Sequence, residues 1–210
     1  MSASWLEVWK IKYNIAFPDP DMPPGRYHHA IFVRTSKSNG SGELYHVIGD
    51  ITSPDGMSYQ RKPTRNPDNS ETFFARDFLG YTLSSGHPAE WDKVLGNLLT
   101  PPQQKAPNPA KMGRTEPFKS KVGPYKYIFY EDGEERKPLW KCTEWVEDYA
   151  LPALYSHGLI QAQIPDPNQG QSSSSHSRAT VAGEPEWVWD EEYQRYRYWD
   201  ATNGEWVWDE

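Results

Sequence analysis

A chain of 210 residues is long enough to bury one ordinary core, and its balance of 22 Lys plus Arg against 29 Asp plus Glu, a net charge of −7, weighs against a nucleic-acid partner. No apolar run approaches the roughly 18–20 residues of a membrane span, and Met1-Ser2-Ala3-Ser4-Trp5 lacks the basic and apolar regions of a signal peptide. The single cysteine excludes an internal disulfide framework and a multi-Cys zinc site, so a soluble cytoplasmic setting is expected.

In chain order, Trp5 to Ile15 alternates, with Trp9, Ile11, Tyr13 and Ile15 on one side and Lys10, Lys12 and Asn14 on the other. That pattern predicts a half-buried strand. Phe17 to Gly25 carries four prolines and predicts a loop. Tyr27-His28-His29-Ala30-Ile31-Phe32-Val33 and Leu44-Tyr45-His46-Val47-Ile48 are β-branched and aromatic runs separated by a Gly/Ser-rich segment containing Asn39-Gly40. They predict a β-hairpin. Alternation puts His28 with Ala30 and Phe32, His29 with Ile31 and Val33, and His46 with Leu44 and Ile48.

Residues 53–70 are polar and turn-rich, and 72–83 reads as strand or short helix with a turn or bulge at Gly80. His87-Pro88 opens a helix whose Trp91, Val94, Leu95 and Leu98 form one apolar stripe. Pro101 to Pro117 reads as an extended connector, and Tyr125 to Tyr130 as a strand closed by Asp132-Gly133. A further helix starts near Leu139 to Cys142, with Cys142, Trp145, Val146 and Tyr149 on one face, a kink or restart at Pro152, and a left-handed cap at Gly158.

Residues 164–183, with four consecutive serines at 172–175, predict a disordered linker. Beyond it Trp187-Val188-Trp189-Asp190-Glu191 recurs as Trp206-Val207-Trp208-Asp209-Glu210, with Tyr196-Arg197-Tyr198-Trp199 between the copies. This predicts a small aromatic three-stranded meander over 184–210. The organisation expected is therefore an α+β core over 1–163, pairing an antiparallel sheet with two or three helices, then the linker and the meander.

The candidate chemistry lies in the core. A cysteine becomes nucleophilic through a lowered pKa and a nearby base. Cys142 stands at a predicted helix start, where free N–H groups and Lys141 favour a thiolate and stabilise an oxyanion. His28 is the candidate base and His46, on the next strand, the candidate orienting group. The hairpin register that would join them is open. His28, His29 and His46 make a poor metal set, because alternation points one of them away. No cofactor is implied. The bland reading of Cys142 is a small core hydrophobe, and that of His28 and His46 a buried polar pair.

The runs His28-His29-Ala30-Ile31-Phe32-Val33, Tyr45-His46-Val47 and Lys141-Cys142-Thr143-Glu144-Trp145-Val146 resemble motifs of the lecithin:retinol acyltransferase-like branch of the permuted papain-fold, NlpC-type thiol enzymes. The resemblance implies a papain-like scaffold with Cys142 as nucleophile, His28 as base and His46 as orienting residue, acting as a hydrolase or acyltransferase on an amide, ester or thioester. Lys141 stands where those enzymes have Asn, and Glu144-Trp145 where they have His-aromatic. The region from about Trp5 to Ile160 also resembles a family of uncharacterised fungal proteins sharing the His-His, Tyr-His-Val-x-Gly-Asp and Cys-x-x-Trp landmarks. The alternative function is a non-catalytic interaction protein on the same scaffold. The tail resembles a WW-type module, which implies a face of Trp187, Tyr198, Trp206 and Trp208 receiving a proline-rich peptide. Its bland reading is a disordered aromatic tail.

Overall fold

Val8 and Ile11 lie three residues apart, so one strand sends them to opposite faces. Both are fully buried. The sheet that holds them is therefore covered on both sides at this point. The computed structural model describes residues 4–164, 188–190, 195–200 and 205–208. The chain divides into two compact units, Met1–Ile164 and Pro165–Glu210.

The first unit is built on a five-stranded antiparallel sheet. Its strands are β1 (Trp5–Tyr13), β2 (His28–Arg34), β3 (Gly42–Gly49), β4 (Met57–Thr64) and β5 (Phe73–Leu83), in the order β4-β3-β2-β1-β5. One face, the helix face, carries Val8, Ile31, Val33, Tyr45 and Val47 into the main core. The opposite, open face carries the smaller cluster Ile11, Ala30, Phe32 and Leu44, with Trp9 and Tyr13 packed on it. The Trp9-Ile11-Tyr13 side of β1 was legible. The half-buried reading was not, because Leu6 and Val8 bury the other face and Lys10 reaches Glu147 there.

Strand β4 falls inside the stretch read as polar turns. It is an edge strand paired only with β3, so polar side chains suit its open face and Pro63 costs no ladder bond on the free side. Strand β5 settles the ambiguity at 72–83. Gly80 sits at φ +135, and a Cβ there would come 2.3 Å from the carbonyl oxygen of Gln161. That close approach lets Tyr81 and Gln161 exchange two backbone hydrogen bonds, of 2.8 and 2.9 Å. The end of the first unit is thereby stitched to the sheet edge.

Helix α1 (Ala89–Leu95) buries Trp91 and Leu95, and the Trp91 indole donates to Thr82 Oγ1 at 3.0 Å. The expected connector over 101–117 is instead two strands of a second sheet. Strands β6 (Lys105–Asn108), β7 (Arg114–Gly123) and β8 (Lys126–Phe129) run in the order β6-β7-β8. Pro107 is tolerated because β6 is an edge.

The last helical layer is continuous but irregular. It runs as α2 (Cys142–Glu144), a π-helical stretch Trp145–Ala150, and α3 (Leu151–Ser156). Pro152 lies in the first turn of α3, just after the π segment. A π turn holds more residues than an α turn. The buried set is therefore Cys142, Trp145, Val146 and Ala150, while Tyr149 is 36% exposed and stacks on Trp140. Gly158, at φ +67, ends the layer, and Leu159 N–H returns to Leu154 O at 2.9 Å. No helix among the described residues is long and apolar enough to cross a membrane.

In the second unit, β9 (Val188–Asp190), β10 (Arg195–Asp200) and β11 (Glu205–Trp208) form an antiparallel meander ordered β11-β10-β9. The expected linker beyond Ile164 lies outside the described residues. The molecule is thus an α+β protein with antiparallel sheets.

Candidate functional site

Two devices fix the start of α2. The Gln104 side chain exchanges hydrogen bonds with the Trp140 main chain, donating to its carbonyl at 2.7 Å and accepting from its N–H at 3.0 Å. Glu144 then reaches back to the Lys141 N–H at 2.8 Å and also pairs with Arg26 at 2.5 Å. The proline-rich loop before β2 is tied down beside them. Asp19 takes hydrogen bonds from Lys105 at 2.6 Å and Lys141 at 2.7 Å, and Asp21 pairs with Lys105 at 2.7 Å. Burial pulls the Asp19 carboxyl upward, but the two lysines outweigh it and hold the group at about 2.

Cys142 is therefore held in place, but not as a poised thiolate. It is 9% exposed, and its sulfur donates to Tyr27 O at 3.8 Å. Burial pushes the thiol above its ordinary value and Glu144 adds to this. The His29 backbone N–H and the Arg26 charge pull the other way and lose. The expected help from Lys141 is spent on Asp19. This corrects the expectation of a lowered pKa: at this site desolvation outweighs the helix start.

The histidine pair is joined. The β3–β4 register places Gln60 opposite His46. His28 Nε2 lies 3.0 Å from His46 Nδ1, and His46 Nε2 lies 3.2 Å from Gln60 Oε1. An amide oxygen only accepts, so His46 Nε2 carries the proton. His46 Nδ1 then accepts from His28 Nε2–H, and His28 Nδ1 is left as the basic nitrogen. Burial pushes His28 down to about 4, helped by His46, His29 and Lys62. His46 is lowered by burial, partly offset by Gln60, with Lys62 adding to the lowering. Both rings are neutral at pH 7.

A cavity of about 180 Å³ is bordered by Cys142, Thr143, Lys141 and His28, with Phe17 and Met22 of the proline-rich loop as its outer wall. The thiol and the imidazole share this cavity without a bond between them. The sulfur meets the β2 main chain at Tyr27, while the His28 ring turns to His46 on the open face. Thr143 Oγ1 is buried beside them with no hydrogen-bond partner. A second, larger cleft of about 690 Å³ opens on the other side of His28 and His46.

The remaining histidines have other surroundings. His29 is 3% exposed on the helix face, with Nδ1 3.4 Å from Glu147 Oε1. Burial would raise Glu147, but His29 and Lys10 hold it at about 2. His87 was read as a helix-terminus residue. Its Nε2 lies 2.6 Å from the Tyr45 hydroxyl, and burial and Arg61 push it to about 4. His157 Nδ1 lies 2.8 Å from Ala153 O at the end of α3, and His176 lies outside the described residues. Among the described residues no group of three His, Cys, Asp or Glu is placed to hold a metal.

Of the expected tail face, Tyr198, Trp206 and Trp208 lie on β10 and β11. Trp187 lies outside the described residues. Tyr198 pairs with Val207, whereas Trp206 and Trp208 pair with Trp199 and Arg197. The guanidinium of Arg197 sits 4.4 Å from the Trp206 ring centre and 5.3 Å from that of Trp208.

Sequence reasoning did not find Gln60, Thr143, or the cations Lys62 and Arg65 beside the larger cleft. Only Gln60 had a usable signal, since recognising β4 and pairing it with β3 puts it opposite His46.

The fold and site define an α+β protein in which a buried cysteine and His28, one of a joined histidine pair, border one cavity. The chain belongs to a family of unknown function, DUF6540, whose model matches residues 15–161. The match takes in the His28–His46–Gln60 relay and Cys142, and leaves out β1 and the meander. No curated protein and no solved structure matches the chain.

Proposed function

We propose that the protein is a thiol-dependent hydrolase or acyltransferase acting on an amide, ester or thioester, with Cys142 as nucleophile, His28 as base and His46 as the group that orients it. The observation that carries this reading is the relay Gln60–His46–His28 ending beside the cavity that Cys142 also borders. At neutral pH the His28 imidazole is unprotonated, with Nδ1 free to accept a proton, and a neutral thiol needs such an acceptor. When an acyl group enters, the thiol leaves Tyr27 O and gives its proton to His28 Nδ1 as sulfur bonds to the carbonyl carbon. The leaving group departs with that proton. Water or an acceptor then attacks the thioester and regenerates the thiol. The resemblance to the lecithin:retinol acyltransferase-like branch of the papain-fold enzymes supports this assignment, and that to uncharacterised fungal proteins supports the domain boundary. The lone cysteine suits a reducing, cytoplasmic setting.

A second reading is favoured by one observation, the thiol's raised pKa and its bond to a carbonyl. In it the protein is a non-catalytic interaction protein, with Trp206 and Trp208 offering an aromatic surface to a proline-rich peptide. Acyl-type activity probes separate the two. Enzymatic function requires labelling at Cys142 that disappears in Cys142→Ser, falls strongly in His28→Ala and survives in folded His29→Ala. A natively folded protein that no probe labels leaves the interaction reading in place.

A further inference from the structure

The cleft on the open face has the size of an ordinary small-molecule site, about 690 Å³. Its lining mixes polar and apolar groups and contains no Asp or Glu. Lys62 and Arg65 border it, and among the described residues neither is in an ion pair. Their neighbours are different. Arg61 pairs with Asp92 at 2.6 Å, and Arg76 with Asp68 at 2.8 Å. In a chain with seven more acidic than basic side chains (29 − 22), two unpaired cations at a carboxylate-free cleft mark a local exception.

Their placement follows from the register. Lys62 pairs with Leu44 and Gln60 with His46. Residues two apart share a face, so Lys62 stands on the open face with His46 and Gln60. Arg65 follows just beyond the end of β4, before the short 3₁₀ turn Pro67–Asn69. The two imidazoles line the cleft beside the cations as neutral groups, already hydrogen-bonded to each other and to Gln60. Lys and Arg together, with the nearby Asp68 carboxylate taken by Arg76, are suited to a phosphate or carboxylate oxygen.

We propose that this cleft binds a small anionic molecule, its phosphate or carboxylate group held between Lys62 and Arg65 beside the His28–His46 pair. The site does not depend on Cys142 or on acyl chemistry. It makes the open face of the sheet a binding face in its own right.

The test uses the full chain, titrated separately with inorganic phosphate and with succinate against a sodium chloride control of equal ionic strength. Imidazole ¹⁵N signals of His28 and His46 report the location. The expected result is saturable binding below roughly 10 mM by at least one probe, with both imidazoles shifted and chloride without effect. Phosphate saturating alone assigns a phosphorylated ligand, and succinate saturating alone a carboxylate. Lys62→Glu with Arg65→Glu should weaken binding at least tenfold with an unchanged unfolding midpoint, and Cys142→Ser should leave it intact. Neither probe saturating, saturation without imidazole shifts, or binding that survives the double charge reversal overturns the proposal. None of these results bears on whether Cys142 is a nucleophile.

Discussion

The two faces of the five-stranded sheet are made from alternate residues of the same strands, yet they are finished differently. On the helix face the sheet meets a continuous core that includes Trp91, Trp145, Val146 and Leu154. Three polar pairs are caught there: Lys10 with Glu147, Tyr45 with His87, and Tyr59 with Asp92. On the open face four residues form the buried cluster, and beyond them lie an imidazole pair and two cations in no ion pair among the described residues. A shift of one residue decides which task a histidine receives. His29 is set against Glu147, and His28 borders two cavities. The difference teaches that stability is concentrated on one face, which leaves the other free to bind.

The largest effect that tests this contrast is a truncation on each side. Trp145 is fully buried in the helix-face core, and Trp145→Ala should cost about 3–5 kcal/mol. Ile11→Ala removes a fully buried side chain from the smaller cluster and should cost about 2 kcal/mol, the low end for such a change. Urea unfolding of both variants measures the gap. Equal losses would mean that the open face carries as much of the fold as the helix face.

How much of this was readable depended on whether the information was local. The hairpin faces followed from alternation, because His28 to Val33 and Leu44 to Ile48 are short, apolar and separated by a turn. Strand β4 was hidden, because an edge strand with one polar face leaves only Met57 and Tyr59 as a signal. In the second sheet β8 falls within the strand expected over Tyr125 to Tyr130, whereas β6 and β7 were hidden by Pro107 and Pro117, whose missing N–H groups matter less where the backbone partners lie elsewhere. The helical face of Cys142 was right as far as Val146 and failed at Tyr149, since 3.6-residue spacing does not anticipate a π segment. The electrostatics of Cys142 were misjudged for a long-range reason. Asp19, 122 residues away in sequence, takes the charge of Lys141.

The pH dependence of folding offers a second comparison, because His28 and His87 lie on opposite faces and both titrate near 4 when folded. The ordinary value of each is 6.5. The unfolded chain therefore binds more protons between those values, and stability must fall as pH drops from 6.5 toward 4. After solvent screening each ring should contribute about 1–2 kcal/mol to that loss. Below this window Glu147, held at about 2 against an ordinary 4.5, adds a further loss as its carboxylate is protonated. His28→Gln and His87→Gln should each flatten the upper window and leave the lower one unchanged. A flat profile between pH 6.5 and 4 in the wild type would show that neither imidazole is kept neutral by burial.

The smallest effect lies at the rim of the open face. Trp9 is only partly buried, and Arg76 covers its ring, with the guanidinium carbon 4.7 Å from the ring centre. Arg76 also pairs with Asp68 at 2.8 Å, and both side chains are about one-third exposed. An exposed ion pair contributes about 0–1 kcal/mol, and an exposed cation–π contact about 0.5–1 kcal/mol. Arg76→Ala should therefore cost less than about 1 kcal/mol, well below either core truncation. Arg76→Lys separates the two parts. A lysine keeps the charge for Asp68 but loses the planar group that stacks on the indole. If the stack matters more, Arg76→Lys should lose most of what Arg76→Ala loses, and the Trp9 indole resonance should move in both variants. If Arg76→Lys matches the wild type, the ion pair with Asp68 accounts for the effect. A loss as large as that of Ile11→Ala would break the comparison, because the rim of the open face would then hold the fold as firmly as its buried centre.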